Sequence, residues 1–597
     1  MEKEKNRSEI SEQFKWDIEK MFSNKDEIND CIESVKEIVS NLVKYKGKIM
    51  ESGTSLYNMY HILNDYNRKI INLYVYSHML CDSDTKNVEN QSLKMQIDKF
   101  YEDTSEKLSF ILPEMLEYDF DYVLKLINEE PKLELYKFDL EKTYRYKKHT
   151  LKAELEELIT KANNAFGGCA EVFYNLDNSD INLGKIMDED GNLVELTNSN
   201  YIKFMNSKNR SVRENAFNNM YKYWASIKNT VASSYKGQIK ENFFNSSVKK
   251  YDSPLQMSLY ADAIDESVYH NLIDTVHKNM NLMYDYVDLR KKILGVDQLH
   301  MWDVYVDLCD NIDSNIPFSR GKEILFEALA PLGDDYLNDL KKAFDERWID
   351  LYPNVGKKSG AYSWGTYDSY PYVLLNYNNT VDSVSTMAHE LGHSMHSYYS
   401  RKNQDYIYHD YPIFLAEIAS TVNEILLNDY MYKNASTKEE KILYLNEFLD
   451  KIKGTLFRQT MFAEFEMIMH DKYQNNIPLT DEEFNKTYYE LNKLYFGDNM
   501  VSDELISHEW KRIPHFYTSF YVYKYATGIS AAIAIASDIL NNVSGAREKY
   551  LEFLSSGCSD YPLNILKKCG VDMTTSEPIE KALEMFNQKL IALKELI

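Results

Sequence analysis

Apolar residues recur at helical spacing along most of the chain. Between Glu9 and about Phe110 they follow every third or fourth position, as in IESVKEIVSNLVKYKGKIM and LYNMYHILNDYNRKIINLYVYSHML. This spacing places them on one face of a helix, which predicts long antiparallel helices. The pattern continues from Leu151 to about Asn175 and returns over residues 202 to 350. The sequence therefore predicts a mainly α-helical protein.

Two segments break the helical pattern. KIMDEDGNLVEL alternates around Asp190 and Gly191, which is typical of a β-hairpin. GAYSWGTYDSYPYVLLNYNN, residues 360 to 379, is rich in Gly, Ser and Tyr and predicts a loop and a short strand from Tyr372 to Leu375. We expect the exposed edge of this strand to hydrogen-bond an extended peptide, although a buried strand without a ligand is the alternative.

Composition excludes several classes of protein. The net charge of −25 leaves no basic stripe for nucleic acid. The charged N-terminal segment, MEKEKNRSEISEQF, is unlike a signal peptide, and no apolar run reaches the ~18 residues of a membrane span. Cysteines at positions 31, 81, 169, 309, 558 and 569 form no C-x-x-C pair. Free thiols are typical of a reducing compartment, so we expect a cytoplasmic protein without nucleic-acid or membrane partners.

The sequence HELGH at residues 389 to 393 is the strongest chemical signal. At ~100° of rotation per residue, His389 and His393 lie about 40° apart on one helical face, so both imidazoles can bind one zinc ion. Glu390 then lies beside the metal, where it can accept a proton from the attacking water. Only about 0.04 chance matches are expected in a chain of this composition. Apolar residues at helical spacing around the motif indicate a buried helix, in which unpaired histidines would be costly.

A catalytic zinc site needs a third protein ligand. Ser397 to Tyr411 is polar and is expected to be a loop or a frayed helix end. Pro412 then suits the first turn of a new helix, FLAEIASTVNEILLNDYMY, which carries Glu417 and Glu424 on one face. Glu417 is the predicted ligand, and Glu424 is predicted either to orient an imidazole or to form a salt bridge elsewhere. Periodicity alone does not choose between the two glutamates.

Several segments together resemble one enzyme family. HELGHSMH followed by AEIASTVNE is similar to the thimet-oligopeptidase-type metallopeptidases, and within them to the oligoendopeptidase F branch. Further matches are RYKKHTLKAELEELITKA, GAYSWGTYDSYPYVLLNY, FRQTMFAEFE and IPHFYTSFYVYKYATG. The resemblance implies one Zn²⁺ ion per chain, with His389, His393 and Glu417 as its ligands. It also implies an ellipsoid of helices cut by a deep substrate channel, with oligopeptides as substrates.

The resemblance suggests two regions and a function. Residues 1–190 are expected to form one helical wall of the channel, and residues 191–597 the catalytic metallopeptidase domain. The predicted function is zinc-dependent hydrolysis of internal peptide bonds, with Glu390 as the general base. The alternatives are a related helical metallocarboxypeptidase, which needs a cationic pocket for the terminal carboxylate, and an inactive peptide-binding scaffold.

A second segment, IPHFYTSFYVYKYATG, offers neutral donors for the oxyanion that forms during amide hydrolysis. Tyr517, Tyr521 and Tyr525 share a face if the segment is helical. The resemblance favours His515 and Tyr523 as donors to the scissile carbonyl, with Tyr517 lining the site. For each tyrosine, a packed aromatic ring is the alternative.

Overall fold

Helices make up most of the structure, a computed structural model that describes residues 5–308 and 315–597. The α-helices are α1 (Lys25–Val43), α2 (Gly53–Ser83), α3 (Val88–Leu108), α4 (Ile111–Leu116), α5 (Phe120–Glu129), α6 (Lys137–Arg145), α7 (Ala153–Phe166), α8 (Gly168–Asn178), α9 (Asn198–Met205), α10 (Arg210–Ser226), α11 (Lys228–Val248), α12 (Pro254–Tyr260), α13 (Glu266–Lys278), α14 (Met280–Leu294), α15 (Phe318–Ala328), α16 (Asp334–Asp345), α17 (Val381–Asn403), α18 (Ile413–Asn434), α19 (Lys438–Ile452), α20 (Arg458–Gln474), α21 (Asp481–Phe496), α22 (Tyr523–Leu540), α23 (Ala546–Leu554), α24 (Pro562–Lys568) and α25 (Glu577–Leu596). The predicted mainly α class is confirmed.

Short strands lie between the helices. They are β1 (Lys185–Met187), β2 (Leu193–Glu195), β3 (Leu299–His300), β4 (Ile349–Asp350), β5 (Tyr362–Trp364), β6 (Tyr372–Leu374) and β7 (Met500–Val501). β1 and β2 form the predicted antiparallel hairpin, with Ile186 opposite Val194. β3 and β7 pair in parallel, and the order β4-β6-β5 makes a third small sheet.

The described chain packs into two units, each discontinuous in sequence. The first comprises Met1–Lys148, Asp313–Leu427 and Asp538–Gly570, and the second comprises His149–Ile312, Asn428–Ser537 and Val571–Ile597. In the first unit, α2 packs against α1, α3 and α5; in the second, α20 packs against α13 and α21. These packing units are not the two predicted regions, whose division at residue 190 stays a prediction, as do the implied ellipsoid and channel.

The zinc-motif helix is buried in the first unit as its apolar spacing predicts. α17 begins after Thr380, whose side chain accepts a hydrogen bond from Ser383 N. Its apolar side chains are at most 1% exposed, namely Val384, Met387, Ala388, Leu391 and Met395. The segment from Ser397, predicted to be a loop or a helix end, begins as the end of α17, which continues to Asn403. The last turns of α17 have a polar sequence, but their side chains still pack against other helices: Tyr399 stacks on Tyr336 of α16 with ring centroids 6.1 Å apart.

The small sheet β4-β6-β5 lies beside α17 in the first unit. A buried ion-pair cluster supports β4, where Asp350 is 2% exposed and lies 2.7 Å from both Arg7 and Lys357. Ser363 of β5 and Ser394 of α17 join the sheet to the helix through hydroxyls 2.8 Å apart.

The described cysteines and helices bear on two further expectations, free thiols and no membrane span. Of the six cysteines, the five that the structure describes are free thiols, and Cys309 lies outside the described residues. No helix within residues 5–308 and 315–597 combines the length and apolar composition that a bilayer span requires.

Candidate metal centre and active site

Two histidines of α17 face the same point in the first unit. His389 and His393 are one turn apart, and their Nε2 atoms lie 3.2 Å from each other. Their rings are nearly perpendicular, at 82°. Both side chains are mostly covered, with His389 26% and His393 16% exposed. The helical spacing of HELGH therefore brings two imidazole nitrogens to one place, as predicted.

Helix α18 reaches these histidines through close contact with α17. A Cβ atom on Gly392 would lie 2.6 Å from Cα of Ser420 and 2.8 Å from the carbonyl oxygen of Ala419. Only glycine permits this approach, because any side chain would push the two backbones apart. One turn away, Asn423 Nδ2 donates to the carbonyl oxygen of Ala388 at 3.1 Å. Neither residue was predicted to matter from the sequence, although a glycine inside a buried helical motif is a signal for close packing.

Glu417 of α18 completes the group. Its Oε2 atom lies 3.4 Å from Nε2 of His389 and 3.4 Å from Nε2 of His393. Within the described ranges, these three residues are the only group of His, Cys, Asp or Glu side chains placed to hold a metal ion. A tetrahedral zinc ion with bonds of 2.0–2.1 Å separates its ligand atoms by about 3.3 Å. The observed spacing and the donor types both fit zinc.

Glu424 contacts the other side of the same imidazole. Its Oε1 atom lies 3.4 Å from Nδ1 of His389, whereas Glu417 faces Nε2. Of the two predicted roles for Glu424, this position favours orienting an imidazole. When Glu424 accepts a hydrogen bond from the Nδ1–H group of His389, the lone pair of Nε2 is left for a metal.

The carboxylates dominate the electrostatics of this group. Burial opposes the imidazolium form of His389, but the hydrogen bonds of Glu417 and Glu424 outweigh it and raise its pKa to about 10. Burial also opposes ionisation of Glu417, yet the two imidazoles hold the pKa of its carboxyl far below the ordinary value. The geometry thus favours a positive charge between these three side chains. A bound cation would occupy that place.

Glu390 is buried beside the metal-binding group. Burial raises the pKa of its carboxyl above the ordinary value, against the attraction of His389 and His393 and a backbone hydrogen bond from Ser363. A raised pKa suits a base that must hold a proton briefly and then release it. By contrast, the next histidine of HELGHSMH, His396, is buried, and its ring stacks on that of Tyr411 with centroids 3.7 Å apart.

The strand predicted to bind peptide is not the edge strand. β6 is fully buried and pairs with β4 on one side and β5 on the other, so the prediction that Tyr372 to Leu375 offers an exposed edge is wrong. β5 is the half-exposed outer strand of the sheet. Sequence did not reveal this order, because strands of three residues carry too little alternation.

The predicted oxyanion segment lies in the second unit. Pro514–Tyr517 is a 3₁₀ turn, and α22 begins only at Tyr523, so Tyr517, Tyr521 and Tyr525 do not share one helical face. Instead, His515 Nε2 lies 3.2 Å from the hydroxyl of Tyr525, and its ring stacks at 16° on Tyr521. Burial lowers the pKa of His515, which keeps its imidazole neutral.

The other two tyrosines of the segment are packed differently. Tyr523 is 0% exposed, and its ring lies 5.3 Å from that of Tyr269. The hydroxyl of Tyr517 donates to Ser234 Oγ at 3.0 Å. The structure therefore does not group Tyr523 with His515, and Tyr525 takes that place. The roles assigned to His515, Tyr517 and Tyr523 remain predictions.

Comparison with known proteins identifies the family. Residues 203–585, which include the metal-binding group, match Peptidase family M3, and residues 114–182 match Oligopeptidase F. The chain belongs to peptidase family M3. This membership confirms the resemblance seen in the sequence and makes the protein a metallopeptidase.

Relatives of this M3 peptidase match it along nearly its whole length. It is 42% identical to Oligopeptidase PepF of Bacillus subtilis (strain 168), over 99% of this chain and 88% of that protein. It is 38% identical to Group B oligopeptidase PepB of Streptococcus agalactiae serotype III (strain NEM316), over 99% and 98%. Its structure is similar to that of oligoendopeptidase-F from Enterococcus faecium, with a TM-score of 0.73, 35% identity and 96% and 99% coverage.

Proposed function

We propose that this M3 peptidase is a zinc-dependent endopeptidase that hydrolyses internal bonds of short peptides. The observation that carries the proposal is the arrangement of His389, His393 and Glu417 within 3.4 Å of one another, with Glu390 buried beside them. Oligopeptides as substrates are supported by the names of the relatives, oligopeptidase and oligoendopeptidase.

His389, His393 and Glu417 would hold the zinc ion, and Glu424 would orient the His389 ring through Nδ1. When bound, the ion polarises water and the scissile carbonyl as a Lewis acid. Glu390 accepts a proton from the attacking water at its carboxylate and then donates it to the nitrogen of the leaving amine. The burial of Glu390, which is 8% exposed, restricts the motion of its carboxylate during both transfers.

Strand β5 would align the substrate. Its outer edge presents backbone groups that an extended peptide can pair with, largely independently of side chains. Because the backbone of Ser363, in β5, lies close enough to Glu390 to lower the pKa of its carboxyl, a peptide on this edge would run past the general base.

The experiment is hydrolysis of an end-blocked, internally quenched peptide by the zinc-loaded protein and by the protein after chelation. We expect cleavage at an internal bond that is lost on chelation and restored by zinc. Cleavage that needs a free C-terminal carboxylate would instead indicate a metallocarboxypeptidase, and stable binding without cleavage would indicate a peptide-binding scaffold. The cytoplasmic location and the absence of nucleic-acid partners stay predictions.

A further inference from the structure

A cavity of about 530 Å³ adjoins the metal-binding group in the first unit. It extends along α17 from His389 and Glu390 to Asp382 near the beginning of the helix. Its opposite wall is formed by Gly360 and Ala361, which precede β5, and by residues 375 to 378, which follow β6. A peptide bound on β5 and cleaved beside Glu390 would therefore pass this cavity.

The distances suit one side chain of a bound peptide. Asp382 and His389 are seven residues apart on α17, or about 10 Å along the axis at 1.5 Å per residue. An extended peptide advances about 3.4 Å per residue. For a peptide parallel to α17, Asp382 therefore lies level with a substrate residue about three positions from the bond beside Glu390. Thr386, one turn after Asp382, lines the cavity between them.

Away from the metal-binding group, the charged side chains of the cavity are acidic. Its described lining contains three acids, Asp382, Glu390 and Glu424, and neither lysine nor arginine. Glu390 is the proposed base and Glu424 contacts His389, so both have functions at the metal-binding group. Asp382 is exposed and forms no ion pair with any described residue. Neutral polar side chains, among them Asn376, Ser385 and Thr386, also line the cavity, and they solvate a cationic group better than apolar side chains do.

We propose that this cavity is a specificity subsite for a lysine or arginine side chain of the substrate, with Asp382 as its counter-ion. The proposal rests on the proposed peptidase function and adds a substrate class to it. An acid in the first turn of a helix also interacts favourably with the helix dipole, and that alone would explain Asp382 without a ligand. The two explanations differ in the expected peptide preference, because an interaction of Asp382 with the helix dipole has no effect on which peptide is preferred.

The test uses end-blocked, internally quenched octapeptides that differ at one position, which carries lysine, glutamine or glutamate. The position is moved through three residues on each side of the cleaved bond, and kcat/KM is measured with the zinc-loaded protein. At one position we expect lysine to be preferred over glutamate by about five-fold or more, as for a partly exposed ion pair, and less at high salt. Asp382→Asn should bring the lysine-to-glutamine ratio close to one, and Asp382→Lys should favour glutamate.

A matched control variant is Asp335→Asn. Asp335 is the second residue of α16 in the same unit, as Asp382 is the second residue of α17, and it is also exposed. It has the same relation to a helix dipole but lies outside the cavity, so its substitution should leave the lysine preference unchanged. Equal preference for all three peptides at every position, or a preference that survives Asp382→Asn, would overturn the subsite.

A second measurement separates the subsite from the proposed function. Binding of the same peptides to the Glu390→Gln variant is followed by fluorescence polarisation. Lysine-selective binding that depends on Asp382, without cleavage by the wild-type protein, would support the subsite and refute the endopeptidase. Cleavage without any selectivity due to Asp382 would support the endopeptidase and refute the subsite. If the peptides are neither bound nor cleaved, both the subsite and the endopeptidase function are refuted.

Discussion

Glu424 lies 3.4 Å from Nδ1 of His389, on the side of the ring opposite the nitrogen that faces His393 and Glu417. The two glutamates of α18 thus contact one imidazole at its two nitrogens. Only the glutamate at Nε2 can share a metal ion with His393. This division assigns Glu417 as the proposed ligand and Glu424 as the residue that orients the ring.

The two glutamates should differ in their effect on metal content. Glu417→Ala should empty the site at ordinary zinc concentrations, because two imidazoles alone hold zinc weakly. Glu424→Ala should weaken zinc binding by roughly 10- to 100-fold, as is typical when the partner of a ligand is removed. Metal analysis after dialysis against graded chelator distinguishes the two. A full site in Glu417→Ala and an empty one in Glu424→Ala would reverse the assignment.

Gly392→Ala should also lose zinc, although the residue cannot bind a metal. The new Cβ atom would lie 2.6 Å from Cα of Ser420, so α17 and α18 must separate and carry Glu417 away from the histidines. Gly454→Ala is the control, since nothing lies within 4 Å of a Cβ at that helical glycine. We expect normal zinc content in Gly454→Ala and a large loss in Gly392→Ala. Equal zinc content in both would show that the helices adapt.

Local geometry explains how much of the site the sequence could predict. Helical periodicity alone places His389 and His393 on one face of α17, and Glu417 and Glu424 on one face of α18. Which glutamate meets which nitrogen depends on how α17 packs on α18. That packing is a contact between distant parts of the chain, made by Gly392 and Asn423. Gly392 signals a close approach, but no pattern within α17 specifies its partner on α18.

The strands and the tyrosine segment show the same limit. The sequence located β6, but its position between β4 and β5 depends on pairing with residues far along the chain. It also located the segment from His515 to Tyr525, whereas the helix starts at Tyr523 and only part of the segment is regular. Side-chain direction in an irregular turn does not follow any period, so the predicted role for Tyr523 lacked a physical basis beyond the resemblance.

Glu390→Gln should keep zinc and the fold but lose nearly all hydrolysis. The amide has almost the same shape and cannot accept the proton, so kcat should fall by at least the ~10² to 10⁴ usual for a missing general base. Zinc content and peptide binding should stay near wild type. A variant with normal zinc and a near-normal rate would exclude Glu390 as the base.

Tyr525→Phe should lower kcat by roughly 10²-fold with little change in KM, as removal of an oxyanion donor does. The resemblance assigns carbonyl contacts to this segment, and Tyr525 is the tyrosine whose hydroxyl lies 3.2 Å from His515. Tyr523→Phe is the matched control, because Tyr523 is 0% exposed. If Tyr523→Phe is the variant with the lower kcat, Tyr523 is the oxyanion donor that the resemblance implies, and the burial of its side chain does not exclude that role.

Glu466→Gln should stabilise the second unit at neutral and alkaline pH but not at acidic pH. Glu466 is 0% exposed and accepts a hydrogen bond from Phe520 N at 3.0 Å, which an amide oxygen also accepts. Burial raises the pKa of this carboxyl to about 8, against the hydrogen bond from Phe520. The folded protein therefore favours the protonated form, and glutamine resembles that form.

The sign of the pH dependence follows from this raised pKa. Below the unfolded pKa, near 4.5, the carboxyl is neutral in both states and costs nothing. Between pH 4.5 and about 8 the unfolded chain ionises first, so wild-type stability falls, and the loss levels off above the folded pKa. Glu466→Gln should raise the apparent Tm by roughly 5 °C at pH 9 and hardly at all at pH 4.5. The exposed Glu490→Gln is the control, with no gain expected at either pH. Equal Tm values for wild type and Glu466→Gln at pH 9 would mean that the buried carboxylate ionises without cost to the fold.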